Sequence, residues 1–220
     1  MNYALIKVCG MRDAENIREV EQLAPPSTLN PPPSTLLLGF IFWPKSSRYV
    51  SEPPAYLPQK AKRVGVFVDA TVEDICRHIN DYALDFVQLH GHESPDFIRH
   101  LNGRCSIIKA INMATREDLQ CVKPYEGLVD YFLFDTRMPL KETGDGLQPG
   151  GTGKKFDWSV LSDYDGQTPF LLSGGIGLDD AERVRAFHHE KCIGIDLNSR
   201  FELAPAYKDI QKLKSFIEQL

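Results

Sequence analysis

The chain has 220 residues, 42% of them hydrophobic and 25% charged, with a formal net charge of −5. That length and balance suit one α/β domain with a full core, and they argue against nucleic acid or an anionic membrane as partner of the whole surface. A local site for an anionic small molecule stays open. The opening MNYALIKVCGM has too short an apolar run for a signal peptide, and no apolar stretch is long enough to cross a bilayer. Cys9, Cys76, Cys105, Cys121 and Cys192 are odd in number, widely spaced and without a CxxC pair. The expectation is reduced thiols in a cytoplasmic protein, not a zinc site or a disulfide framework.

Short β-branched and aromatic runs recur along the chain: ALIKVC (4–9), LLLGFIF (36–42), RVGVFV (63–68), DFVQLH (85–90), SIIKAI (106–111), DYFLFD (130–135), PFLLSG (169–174) and CIGIDL (192–197). Stretches with helical periodicity lie between them: DAENIREVEQL, VEDICRHINDY, SPDFIRHLN, REDLQCVKPY, FDWSVLSDY, LDDAERVRAF and PAYKDIQKLKSFIEQL. The Pro-rich EPPAYLPQKAK is a weaker helix candidate. Thr71 before Val72 and Ser94 before Pro95 read as N-caps. Alternating strand and helix imply a parallel sheet with helical crossovers. Eight such units, with no GxGxxG, favour an α/β fold closed as a (β/α)8 TIM barrel in a single domain over an open doubly wound sheet. Residues 24–35, APPSTLNPPPST, break the rhythm and read as a surface insertion on the N-terminal face.

Barrel active sites lie at the C-terminal ends of the strands. The polar groups placed there are Cys9, Arg48, Asp69, His90, Asn112, Asp135 and Asp196. Alternation puts Lys7 and Cys9 on one face of the first strand, toward the barrel interior, and ends the sixth strand on Asp135. A thiol and a carboxyl at one mouth make an acid–base pair. Lys7 either depresses the Cys9 thiol or belongs to an ion network with Asp196 or Asp135; Cys9 itself is either a base or a small apolar plug. Glycine-bearing loops at GGTG (150–153) and SGG (173–175), with the turn after Asp196, suit a phosphate held by backbone N–H groups. Each is equally a tight turn needing positive φ.

KVCG, GFIFWPKSSRYV, RVGVFVD, VQLHGHE, FLFDT, GGTGKKFDW, LLSGGI and GIDLNS follow one another in an order and spacing that resemble the phosphoribosylanthranilate isomerase family. The resemblance spans nearly the whole chain apart from 24–35. It implies an Amadori rearrangement in tryptophan biosynthesis, from N-(5-phosphoribosyl)anthranilate to 1-(2-carboxyphenylamino)-1-deoxyribulose 5-phosphate, with no metal and no organic cofactor. By the same resemblance Cys9 is the general base, Asp135 the general acid and Arg48 the holder of the anthranilate carboxylate. The phosphate lies against Gly151, Gly153, Gly174, Gly175, Asn198 and Ser199.

The acid must carry a proton for the furanose oxygen, and a mouth lined by Phe132, Leu133 and Phe134 is expected to raise the Asp135 pKa. Arg48 suits a carboxylate because its fork can meet two oxygens. Phe40, Phe42 and Trp43 are candidates for packing on the anthranilate ring or for core and rim packing. The family's small turn after the eighth strand usually carries a glycine where this chain has Arg200, which puts that phosphate contact in question. His90 is expected in a structural or supporting role. Other readings on the same scaffold are a metal-dependent ribulose-phosphate epimerase, an indole-glycerol-phosphate synthase using Lys7 or Lys109, and a phosphate-binding sensor without turnover. The expected partner is a phosphorylated small molecule, with no nucleic acid and no membrane, and the chain acts as a monomer or a homodimer.

Overall fold

The computed structural model describes residues 3–23, 35–136, 140–143, 146–149 and 157–220. Most of the 24–35 insertion, with Gly151 and Gly153, lies outside the described residues. Eight parallel strands close a barrel: β1 (Leu5–Cys9), β2 (Thr35–Ile41), β3 (Lys62–Phe67), β4 (Phe86–Leu89), β5 (Ser106–Met113), β6 (Tyr131–Thr136), β9 (Phe170–Leu172) and β10 (Cys192–Leu197). Two antiparallel hairpins are added, β7 (Leu140–Thr143) with β8 (Gly146–Pro149) and β11 (Glu202–Ala204) with β12 (Tyr207–Lys208). The eight expected strands are the eight barrel strands; neither hairpin was expected from the sequence.

Alternation along the strands makes two cores. Leu5, Leu37, Val64, Val66, Ile108, Ala110, Leu133 and Leu171 fill the barrel, and Cys9 sits on top of them. Alternate residues such as Ile6, Val8, Phe40, Phe132, Phe134 and Phe170 face the outer layer. Phe132 and Phe134 therefore point away from the mouth and pack on Tyr164. They do not line Asp135, because neighbours along a strand face opposite sides.

The crossovers are less helical than their periodicity suggests. Regular α-helix forms at α1 (Ala14–Glu21), α2 (Val72–Tyr82), α3 (Pro95–Leu101), α4 (Ala181–Ala186) and α5 (Ile210–Ile217). Arg116–Tyr125 and Trp158–Asp163 are 3-10 segments, the first with Pro124 inside it. Thr71 caps α2 by accepting from the Asp74 amide at 3.1 Å, and Ser94 caps α3 through the Phe97 amide at 3.2 Å. EPPAYLPQKAK forms no helix. Pro53, Pro54 and Pro58 lack amide donors, and the carboxylate of Glu21 takes the Lys60 and Ala61 amides instead, at 2.6 and 2.8 Å.

One buried ion pair ties the loops after β3 and β4 to the outer layer. Lys109, on the outward face of β5, donates to Glu93 at 2.9 Å and to the Gly91 carbonyl at 2.7 Å. Glu93 also accepts from the amides of Asp69 and Gly91 at 3.0 and 3.1 Å. Breaking a buried pair from one side leaves an uncompensated charge, which costs about 3 kcal/mol or more. Lys109→Ala should therefore lower the urea unfolding free energy by about 3 kcal/mol. A loss under about 1 kcal/mol would mean the backbone amides alone satisfy Glu93.

Candidate active site

The first strand sets the site. Lys7 and Cys9 do share the interior face, and Lys7 is wholly buried. Its ammonium donates to Asp196 at 2.7 Å, where the parallel register places Lys7 beside Asp196 on β10. Burial pulls the Lys7 pKa down, but Asp196 and the Cys9 sulfur outweigh it and the net shift is upward. Cys9 is 4% exposed. Burial pushes its thiol up, Asp196 adds to that, and the ammoniums of Lys7 and Lys208 oppose it.

Asp135 lies at the same mouth, its side chain 28% exposed, one residue before β6 ends at Thr136 and not at the strand's last position as expected. Ser173, at the end of β9, lies 3.2 Å from Asp135 Oδ1 and 3.2 Å from Asp196 Oδ2. On the other side His90 Nε2 is 3.6 Å from Asp135 Oδ2, and His90 Nδ1 is 3.0 Å from Gln88 Nε2. Burial depresses the His90 pKa, with Asp135 pulling the other way. Cys9, Asp135, His90 and Asp196 thus converge. Asp69 does not: it pairs with His92 at 3.2 Å on the loop rim, and Asn112 is exposed.

Arg48 reaches the site from the segment after β2, where its bidentate edge is already used. Nε and Nη2 donate to Glu202 at 2.9 and 2.6 Å. Glu202 in turn accepts from Lys208 Nζ at 2.7 Å, and Lys208 donates to Asn198 Oδ1 at 2.9 Å. Burial pushes the Glu202 carboxyl up, but the bonds from Arg48 and Lys208 hold it below the usual carboxylate range.

Glu202, Lys208 and Ser173 were not anticipated. Alternation alone would have found Ser173, two residues beyond the interior Leu171. Glu202 fell in an unassigned stretch, and Lys208 was absorbed into an expected helix that instead begins at Ile210.

Gly10 lies where these groups meet. Its φ is +79°, and a Cβ there would stand 2.7 Å from Arg48 Cδ, 3.0 Å from Asn198 Oδ1 and 3.5 Å from Lys208 Nζ. The glycine of KVCG is thus required both by its backbone and by what presses on it.

The loops after β9 and β10 form the neighbouring rim. Gly174 and Gly175 have φ of +99° and +71°, and Gly175 opens onto free space. Asn198 and Ser199 begin the turn after β10, and Arg200 is exposed with its Cβ beside Gly177. Phe40 and Phe42 are buried, packing on Tyr82, with Phe42 also against Phe67 and His78. Both pack between barrel and helix, and Phe42 also borders the cleft lined by Trp43. Trp43 lines a cleft of about 500 Å³ with Tyr49 and Asp81. Among the described residues, no three His, Cys, Asp or Glu side chains gather as a metal-holding group, and no helix is long and apolar enough to cross a membrane.

The family model for N-(5'-phosphoribosyl)anthranilate (PRA) isomerase matches residues 7–219. The chain belongs to that family. It is 49% identical to the N-(5'-phosphoribosyl)anthranilate isomerase of Parabacteroides distasonis, over 98% of this chain and 93% of that one. Among solved structures, the phosphoribosyl anthranilate isomerase of Thermotoga maritima superposes with a TM-score of 0.78 at 29% identity, covering 98% of both chains. A phosphoribosyl anthranilate isomerase in complex with reduced 1-(o-carboxyphenylamino)-1-deoxyribulose 5-phosphate gives 0.76 at 26% identity, over 98% of this chain and 97% of that one. The activity is accordingly the isomerisation of phosphoribosylanthranilate in tryptophan biosynthesis.

Gly10→Ala tests how closely the isomerase site is packed. A left-handed alanine costs about 1–2 kcal/mol, and its methyl must displace Arg48. Expected are a stability loss of that size in urea and a tenfold or greater fall in kcat/KM carried mainly by KM. Unchanged kinetics in a folded variant would show that Arg48 has room to move.

Proposed function

We propose that this isomerase works by acid–base catalysis between Asp135 and Cys9, with Arg48 on the anthranilate carboxylate and the Gly174, Gly175, Asn198 and Ser199 rim, together with Gly151 and Gly153, on the phosphate. Asp135 gives its proton to the furanose oxygen as the C1–O bond breaks. The anthranilate nitrogen supplies the electron pair, and a protonated Schiff base forms at C1. That cation acidifies the C2 proton, which the Cys9 thiolate removes to give an enolamine. Return of a proton to C1 and loss of the enol proton give the ketose. The proton balance closes between these groups, so the reaction uses neither a metal nor an organic cofactor.

The observation that carries this reading is Ser173 between two carboxylates. Its hydroxyl has one proton and cannot donate to Asp135 and Asp196 together. Asp196 faces the Lys7 ammonium. A proton on Asp135 completes the row: Asp135 donates to Ser173, and Ser173 donates to Asp196. The acid is thus stored by a hydrogen-bond arrangement and not by the phenylalanines of its own strand. Cys9 lies across the same mouth with two ammoniums nearby. Arg48 keeps Nη1 for the substrate carboxylate while Glu202 holds its other edge.

The lysine-dependent alternative loses its support from the positions of the lysines. Lys109 faces outward and is bound to Glu93, and Lys7 is bound to Asp196. The partner is a phosphorylated small molecule, not nucleic acid or membrane, and the chain acts in the cytoplasm as a monomer or a homodimer, with residues 24–35 a surface insertion.

Loss of phosphoribosylanthranilate fluorescence, followed with EDTA present, tests the assignment. General acid–base groups contribute about 10²–10⁴-fold. Cys9→Ala and Asp135→Asn should each lower kcat by at least the smaller of those factors and leave the fold intact by circular dichroism. Arg48→Ala should instead act mainly on KM. Full turnover in Cys9→Ala would remove the thiol from the mechanism, and wild-type activity abolished by EDTA would redirect the reading to a metal-dependent barrel enzyme.

A further inference from the structure

Five charged groups gather on the β1 side of the mouth, and their charges do not cancel. Lys7, on β1 itself, is matched by Asp196 on β10 at 2.7 Å. Lys208 on β12 and Arg48 after β2 share a single carboxylate, Glu202 on β11, at 2.7 and 2.6 Å. One positive charge is left over beside Gly10, the residue following Cys9. Asp135 and His90 stand on β6 and at the end of β4, away from β1 in the barrel order. Lys208 is fully buried and Glu202 nearly so.

An ammonium is costly to bury, and the hairpin that carries this one is held firmly. Asn16 on α1 brackets Lys208, accepting from its amide at 2.7 Å and donating to its carbonyl at 2.9 Å. Simple structural pairing would need one cation for one carboxylate. Here a second cation is brought in, and it also reaches Asn198 on the phosphate rim.

We propose that the Glu202–Lys208 pair is a positioning device for the isomerisation: it holds Arg48 and Asn198 in register and leaves one positive charge that favours the thiolate of Cys9. Glu202 fixes the Nε–Nη2 edge of Arg48, and Lys208 fixes Asn198. The groups meeting the carboxylate end and the phosphate end of the substrate are thereby spaced by one rigid bridge that passes under Gly10. The surplus charge offsets part of the burial that pushes the Cys9 thiol up. The part concerning rate rests on Cys9 as the base.

The two partners predict shifts of opposite sign. Lys208→Met leaves Arg48 and Glu202 neutral together, so the Cys9 thiol should ionise about one pH unit higher, near the lower end of what an adjacent charge does. Glu202→Gln leaves two cations, so the thiol should ionise lower, while KM rises because Arg48 is released. Lys208→Arg keeps the charge and should restore the thiol close to wild type.

Thiolate absorbance at 240 nm against pH reads the ionisation, after subtracting the same protein carrying Cys9→Ser. The acid limb of kcat/KM should move with it, to higher pH in Lys208→Met and to lower pH in Glu202→Gln. Thiol titrations that stay put, or that move the same way in both variants, would overturn the proposal. A shifted thiol with an unmoved acid limb would support the charge-setting role and instead remove Cys9 as the base.

Discussion

A lysine ammonium fully buried inside an apolar barrel is tolerable only with a carboxylate in contact, and Asp196 meets Lys7 at 2.7 Å. The two residues are register partners on β1 and β10, the first and last strands of the barrel. A slip of one residue would turn Lys7 outward and leave Asp196 alone inside. The pair therefore selects the register in which the barrel closes. That register also fixes how high Cys9, two residues beyond Lys7 on β1, stands relative to Asp196 on β10, so closure and the placement of the thiol follow from one interaction.

From that point the mouth is organised around shared partners. Asp196 serves Lys7 with one oxygen and Ser173 with the other, and Ser173 passes the contact on to Asp135. The β1 and β6 sides of the mouth are thus joined through the floor of the site by way of β10 and β9. Charge at one end is felt at the other, since replacing Asp196 would free Lys7 and remove the acceptor of Ser173 together. The loops above are held by the same economy. Glu93 gathers the loops after β3 and β4, and Glu202 gathers the segment after β2 with the hairpin after β10. Both are single buried carboxylates that accept from groups far apart in sequence.

The eight strands were legible because a strand buried on both faces reads as a nearly continuous apolar run, as LIKVC and CIGIDL do. Alternation correctly turned Lys7 and Cys9 inward. It was not applied to FLFDT, where it would have sent Phe132 and Phe134 to the outer layer. Several helices were overstated because amphipathic spacing is satisfied by a 3-10 turn or a short hairpin as readily as by α-helix when the crossover is brief. Within PAYKDIQKLK the helix starts only after Asp209, whose carboxylate caps it through the Lys212 amide; the lysine before the cap belongs to the site. Glu202 and Lys208 carry no local signal at all. Their meaning depends on Arg48 and Asn198, and the Glu202–Arg48 contact spans 154 positions.

The global and local charges point opposite ways, and the substrate explains why they must. The protein carries −5 overall, while phosphoribosylanthranilate brings a phosphate at one end and a carboxylate at the other. A uniformly acidic surface would repel both ends. Arg48, Lys208 and Lys7 gather on one side of the mouth, and Arg200 stands exposed on its rim. Low-dielectric walls strengthen the field of the few cations within. Selecting an anion in this way needs no excess of basic residues, only their concentration where the strands end. The Cys9 thiol sits in the same field, where the ammoniums of Lys7 and Lys208 oppose the burial that pushes it up.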